Sequence, residues 1–295
     1  MLRILYCSNP LAPAEPEPDF AAEAEAARRL GLSISLIDHD ALERDGDLRR
    51  CLRRLGPVEP GPALYRGWML RAEAYDRLYA ALAARGLNVV TPPEHYALAH
   101  HWPEAYPYLA EWTAGTRWIA AEALNEAAII ALLAGFSGRP VVIKDWVKSQ
   151  AAGYWESACF IPDPSDTAAA LAVVRRFLDL QGDSLTGGLV VRDFMALSKI
   201  GGETEEWRAF VVDGVACSCD PRFAAPREPP PADLIVRVAG ALPCRFFSAD
   251  FARRADGGWS LIEVGDGQVS GLPSSADVPR FYATLSNAFA GDAGS

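Results

Sequence analysis

Strand and helix patterns alternate through residues 1–90, and this alternation constrains the fold more than any other feature of the chain. "LRILYCS" is a short apolar run, and "PDFAAEAEAARRL" is an Ala-rich helical stretch stopped at Gly31. "SISLID" and "PALYRGWML" read as further strands. "AEAYDRLYAALAARG" reads as a helix ending at Gly86, before "LNVV" enters Pro92-Pro93. Strand, helix, strand, helix, strand predicts an α/β domain with a mainly parallel sheet. No G-x-G-x-x-G follows the first strand, so dinucleotide binding has no support.

The pattern changes from about residue 110. "TRWIA", "RPVVIKDW", "GGLVVRDFMAL", "EEWRAFVVDGVACSCD" and "WSLIEVG" read as strands. Between them, "EALNEAAIIALLAGF" and "DTAAALAVVRRFLDLQ" read as helices, the second capped by Asp166 or Thr167. Strands outnumber helices here, which predicts an α+β arrangement. The expected organisation is an α/β domain over 1–108, a second module over 109–290 and a frayed tail at 291–295. The boundary follows "HHWPEAYPYL", where His100 and His101 read as structural. "PREPPPAD" (226–233) reads as a surface loop.

Composition narrows the function classes. With 28 basic and 38 acidic side chains the formal net charge is -10, so a duplex nucleic-acid partner is not favoured. The N-terminal apolar run is too short for a signal peptide. No stretch approaches the ~20 apolar residues that span a bilayer. The 6 cysteines are scattered without zinc-ligand spacing. A cytoplasmic protein is expected, and a homodimer is compatible with the sequence.

Four stretches could carry chemistry. Lys144 ends the apolar run "PVVIK", and Lys148 follows in a segment of small residues. Two ammonium groups there suit a polyphosphate; snorkelling surface lysines give the same pattern. Arg192, Asp193, Phe194 and Met195 end "LVVRDFM". Strand-end backbone with an aromatic or thioether neighbour can hold an adenine, and a core strand with a capping ion pair is the competing reading. In "ETEEWRAFVV", Glu206 and Arg208 share a strand face, either as an ion-pair ladder or with Arg208 reaching a transferring phosphoryl group. Asp250 and Glu263 flank a turn signalled by Asp256-Gly257-Gly258, with Asp266 just beyond. Three carboxylates converging there would repel unless a cation such as Mg²⁺ is present. Arg66 follows an apolar strand and reads as either an anchor for a substrate carboxylate or a buried structural arginine.

The order of these features along the chain resembles the ATP-grasp superfamily over roughly residues 110 to 290. "EWRAFVVDG" is similar to the D-x-R-x-F-V segment of its peptide-forming members, and "LIEVGDGQ" to their E-V-N segment. "VVRDFM" resembles the branch named for one arginine and two lysines, which would be Arg192, Lys144 and Lys148. Gly265 stands where the asparagine is usual, with Asp266 as its candidate replacement. Arg117 is the candidate for a lysine usual earlier in the module. The resemblance implies a two-lobed module with ATP between antiparallel sheets, contacted by Lys144, Lys148, Arg192, Asp193, Phe194 and Met195. Mg²⁺ would be held by Asp250, Glu263 and Asp266. It implies catalytic roles for Arg208 and Lys148, and makes Gln268 and Ser270 substrate candidates beside Arg66. The implied activity is a carboxylate–amine (or thiol) ligase working through an acyl phosphate. A small-molecule kinase and a catalytically silent ATP-binding regulator stay open.

Overall fold

The computed structural model describes residues 1–136, 138–147, 151–223 and 228–289. The chain divides into two compact units. One comprises Met1–Ala97, Glu206–Phe251 and Glu263–Ser295; the other comprises Leu98–Glu205 and Ala252–Ile262. The boundary expected near residue 108 lies inside the second of these, and the 109–290 segment is shared by both. No helix among the described residues is long and apolar enough to cross a membrane.

In the first unit, β1 (Arg3–Cys7), β2 (Ser33–Ile37), β3 (Gly61–Arg66) and β4 (Leu87–Val89) form a sheet in the order β2-β1-β3-β4. All three pairings are parallel, as the alternation predicts. Because the β1 side chains alternate, Leu5 and Cys7 join a core with Tyr75, Leu78 and Leu82 of the helix Ala72–Ala83. Ile4 and Tyr6 join the opposite core, with Ala24 and Ala27 of the helix Ala21–Arg29. That core also takes in Phe281, Tyr282 and Leu285 of the C-terminal helix Val278–Phe289.

The second unit holds a sheet of β5 (Thr116–Ala120), β6 (Val141–Lys144), β7 (Phe160–Ile161) and β8 (Gly188–Asp193), in the order β5-β8-β6-β7. All its pairings are antiparallel. The helices Glu126–Ala134 and Thr167–Gln181 cover one face of it, burying Ile129, Leu133, Leu171 and Phe177 against Val141, Ile143 and Val191. Asp166 caps the second helix by accepting from the Ala169 N–H at 3.1 Å. β9 (Lys199–Ile200) and β10 (Glu203–Thr204) make a small hairpin. "HHWPEAYPYL" is mostly a helix, Trp102–Leu109, with Pro103 in its first turn, where a missing N–H costs nothing.

The remaining strands, β11 (Glu206–Val212), β12 (Val215–Pro221), β13 (Phe246–Arg253) and β14 (Trp259–Asp266), form a sheet in the order β12-β11-β13-β14. Asp213 and Gly214, both with positive φ (46° and 78°), close the β11–β12 hairpin. Gly257 at φ 89° closes the expected β13–β14 turn. The proline-rich stretch ends sooner than expected, because Ala232 already starts the helix Ala232–Ala241.

Candidate functional site

Strand register sorts the residues of the second unit. Lys144 pairs with Val190 and Val142 with Arg192, so Lys144 and Arg192 project from the same face of the sheet. Thr116 and Trp118 of β5 and Phe160 of β7 share that face, which is opposite to the helix-covered one. Lys144 is only 9% exposed, so it is no snorkelling surface lysine. Asp145 fixes the turn after it: Oδ1 accepts from Val147 N–H at 2.7 Å, and Oδ2 from Gln181 Nε2 and Thr186 N–H, both at 3.2 Å. Lys148 lies outside the described residues. Arg192 is held tightly. Its Nη1 donates to Ile262 O and its Nη2 to Thr113 Oγ1, both at 2.8 Å, and its guanidinium sits 4.2 Å from the centroid of the Trp102 ring. Arg117 falls on the helix-covered face, beside Phe136, so it does not join Lys144. The position on the lysine face is Trp118.

Beyond Arg192 the strand ends as expected, but its residues diverge. Asp193 turns its carboxylate to Arg139 at 2.9 Å, on the face away from Lys144, and its N–H is given to Gly115 O. Alternation puts the Asp193 side chain on the face away from Lys144, which leaves only its backbone carbonyl for the adenine contact expected of it. Phe194 packs edge-on against Phe160 at 5.0 Å and near Trp155 at 6.2 Å. Met195 is half-buried in the segment that follows.

In the first unit, β11 and β13 bring charges together. Arg208 forks onto Asp250, with Nε to Oδ1 and Nη2 to Oδ2 both at 2.7 Å. Arg222 adds Nη1 to Asp250 Oδ2 at 2.8 Å and to Glu206 Oε1 at 2.6 Å. Asp250 is 2% exposed, and both of its oxygens face guanidinium groups. Burial opposes the charge on Arg208, but Asp250, Glu263 and Glu206 outweigh it and hold its pKa above the ordinary value. Burial likewise raises the Glu206 carboxyl, against the pull of Arg222. Three carboxylates thus surround one buried guanidinium, and because both Asp250 oxygens are taken by arginines, a divalent cation would have to displace them to use this carboxylate. Arg222 was not anticipated. The Asp-Gly turn alone would set Glu206 opposite Pro221; the β-bulge between Phe210 and Val211 shifts the register by one, pairs Arg208 with Asp220 and so sets Arg222 opposite Glu206.

Three expectations for this region are corrected. Asp266 does not converge with Asp250 and Glu263. It lies three residues after Glu263 on the same strand, so it points to the opposite face, where it is 0% exposed. Among the described residues no group of three potential metal-ligating acids, histidines or cysteines forms. Burial pushes the Asp266 carboxyl up to about 7, against hydrogen bonds from Gln268 and the charge of Arg66. Oδ1 accepts from the Gln268 N–H at 2.9 Å, and the Thr91 side chain also lowers the pKa. Arg66 is 0% exposed and binds no substrate from there. Its Nε and Nη2 meet Glu23 at 2.9 and 2.7 Å, and its Nη1 donates to the carbonyls of Gly267, Gln268 and Ser270. Gln268 is also 0% exposed, accepting from the Tyr65 N–H and donating to the Tyr75 hydroxyl. Together Arg66 and Gln268 fix the turn after β14. Ser270 differs from them. It is half-buried, and its hydroxyl lies 2.7 Å from that of Ser248, which shares a strand face with Asp250. A Cβ on Gly265 would lie 3.1 Å from Ser270 Oγ, so the serine hydroxyls occupy the space beside the missing asparagine.

Comparison with known proteins identifies the family and the fold. Residues 134–285 match the family model of the ATP-grasp domain, family 3 of the clade named for one arginine and two lysines. No match is found among curated proteins. Among solved structures, a RimK domain ATP-grasp protein from Sphaerobacter thermophilus aligns with TM-score 0.64 at 17% identity, covering 98% of this chain and 100% of that one. D-cycloserine synthetase DcsG aligns with TM-score 0.59 at 16% identity, covering 97% and 99%. The ATP-grasp ligase PsnB, solved with precursor peptide PsnA2 and AMPPNP, aligns with TM-score 0.56 at 13% identity, covering 98% and 97%. By the family match and the fold, the chain belongs to the ATP-grasp superfamily, in family 3 of its one-arginine, two-lysine clade.

Proposed function

We propose that the protein is an ATP- and Mg²⁺-dependent ligase that joins a carboxylate to an amine or thiol through an acyl phosphate. One observation carries this reading: a buried arginine, Arg208, forked onto Asp250 with Glu263 and Glu206 beside it, in a chain of ATP-grasp fold. Structural neighbours add support, since one was solved with ADP and an aminoimidazole ribonucleotide and another with Mg and ADP. Lys144 and Lys148 would bind the phosphates, with Arg192 bracing the strand beside Lys144. The segment through Phe194 and Met195 would offer backbone groups and an aromatic edge to the adenine. Asp250 and Glu263 would hold Mg²⁺, which supplies charge neutralisation at the phosphates when bound.

A substrate carboxylate oxygen would attack the γ-phosphorus, releasing ADP. The amine or thiol would then attack the acyl carbon, and inorganic phosphate would leave through a tetrahedral intermediate. Arg208 would neutralise charge on the transferring phosphoryl group, and Ser270 would contact substrate. Catalysis of this kind rests on positioning and charge neutralisation. A silent ATP-binding regulator is the second reading, favoured by Gly265 and the burial of Asp266, which leave two acids where three were expected. The test is phosphorus NMR of ATP incubated with Mg²⁺, pooled carboxylates and pooled amines. ADP and inorganic phosphate appearing only when both pools are present select the ligase. A stable new phosphorylated product selects a kinase. Saturable ATP binding with no ADP formed selects the regulator.

A further inference from the structure

A second feature of the first unit lies at the outer edge of its parallel sheet. β2 is an edge strand, and a cavity of about 420 Å³ lies along it. Ile34, Ser35 and Leu36 line it, together with Pro13 and Ala14. Three arginines line it, and no acidic residue does. Arg28 comes from the helix on one face of the sheet; Arg3 and Arg54 come from the other. Arg3 donates to the buried Ser35 hydroxyl at 2.8 Å. Among the described residues neither Arg3 nor Arg54 pairs with a carboxylate, and Arg28 reaches Glu25 only at 3.9 Å. The acids of this region, Glu17, Asp38 and Asp40, line an adjoining cavity of about 190 Å³ that shares Pro13 and Arg54 with the first, and there Arg50 pairs with Asp38 at 3.2 Å. In a chain of net charge -10, a cavity lined by three arginines and no acid suits an anion.

We propose that this cavity binds a small, multiply charged oxyanion of the phosphate class. The guanidinium forks supply planar donors, and the outward N–H groups of an edge strand supply more. Pro13 and Ala14 flank the strand and leave room for a compact ligand rather than an added strand. The site uses none of the residues assigned to ATP and does not depend on the ligase reading.

The test is calorimetric titration of inorganic phosphate and, separately, ribose 5-phosphate into the full chain with the ATP site filled by Mg²⁺ and a non-hydrolysable ATP analogue. Amide exchange is followed over residues 33–37. Saturable binding, slower exchange at 33–37 and at least tenfold weaker binding to the Arg28→Gln/Arg54→Gln variant are expected. Tighter binding of ribose 5-phosphate identifies an organic phosphate as the ligand; equal binding identifies free phosphate. No saturable binding of either, or unchanged affinity in the double variant with unchanged circular dichroism, overturns the proposal. In that case the arginines only guard the strand edge.

Discussion

Asp266 is a carboxyl whose proton is favoured by folding. Its pKa rises from the ordinary value of 3.8 to about 7, so the native state holds more protons than the unfolded chain between those values. Its contribution to stability is therefore full below about pH 4 and lost as pH rises through 7, an effect on the order of a few kcal/mol. Asp266→Asn should flatten that part of the profile, with the variant gaining on the wild type in urea unfolding at pH 8 relative to pH 5. Arg66 and Glu23 give a second test. Both are buried and joined at 2.7 Å, so Glu23→Gln strands a buried guanidinium. It should cost about 3–5 kcal/mol by urea unfolding. A loss within the scatter of surface mutations would show that the pair does not hold the turn.

At the scale of elements, the sequence carried the strand alternation, the Asp166 cap and both glycine turns, because these depend on neighbours along the chain. Asp166→Ala should accordingly cost about 1 kcal/mol in thermal unfolding, as loss of a cap does. What the sequence hid depends on long-range burial. Arg66 reads as a cleft arginine until the helix Ala21–Arg29 brings Glu23 against it. The separation of Glu263 from Asp266 was legible in the odd spacing, but only once β14 was known to run through Asp266 rather than end at Gly265. Arg208 and Asp250 were each marked, yet their partnership needed the β11–β13 adjacency. Position 187 is a further such case. Gly187 sits at φ 69°, and a Cβ there would lie 2.1 Å from the Trp146 ring. Gly187→Ala should therefore destabilise the approach to β8 and lower the urea midpoint.

At the scale of the whole molecule, the charged clusters belong to two units that each have a core of their own. The most direct measurement is calorimetric titration of ATP, with and without Mg²⁺, into the wild type and the Lys144→Met, Glu263→Gln and Asp266→Asn variants. Magnesium should strengthen ATP binding to the wild type. Lys144→Met should weaken binding by about tenfold or more, equivalent to ~1.4 kcal/mol. Glu263→Gln should remove the magnesium dependence, and Asp266→Asn should leave both affinity and magnesium dependence unchanged. Magnesium-independent ATP binding that ignores Lys144 and Glu263, or no ATP binding at all, would contradict the assignment of this site.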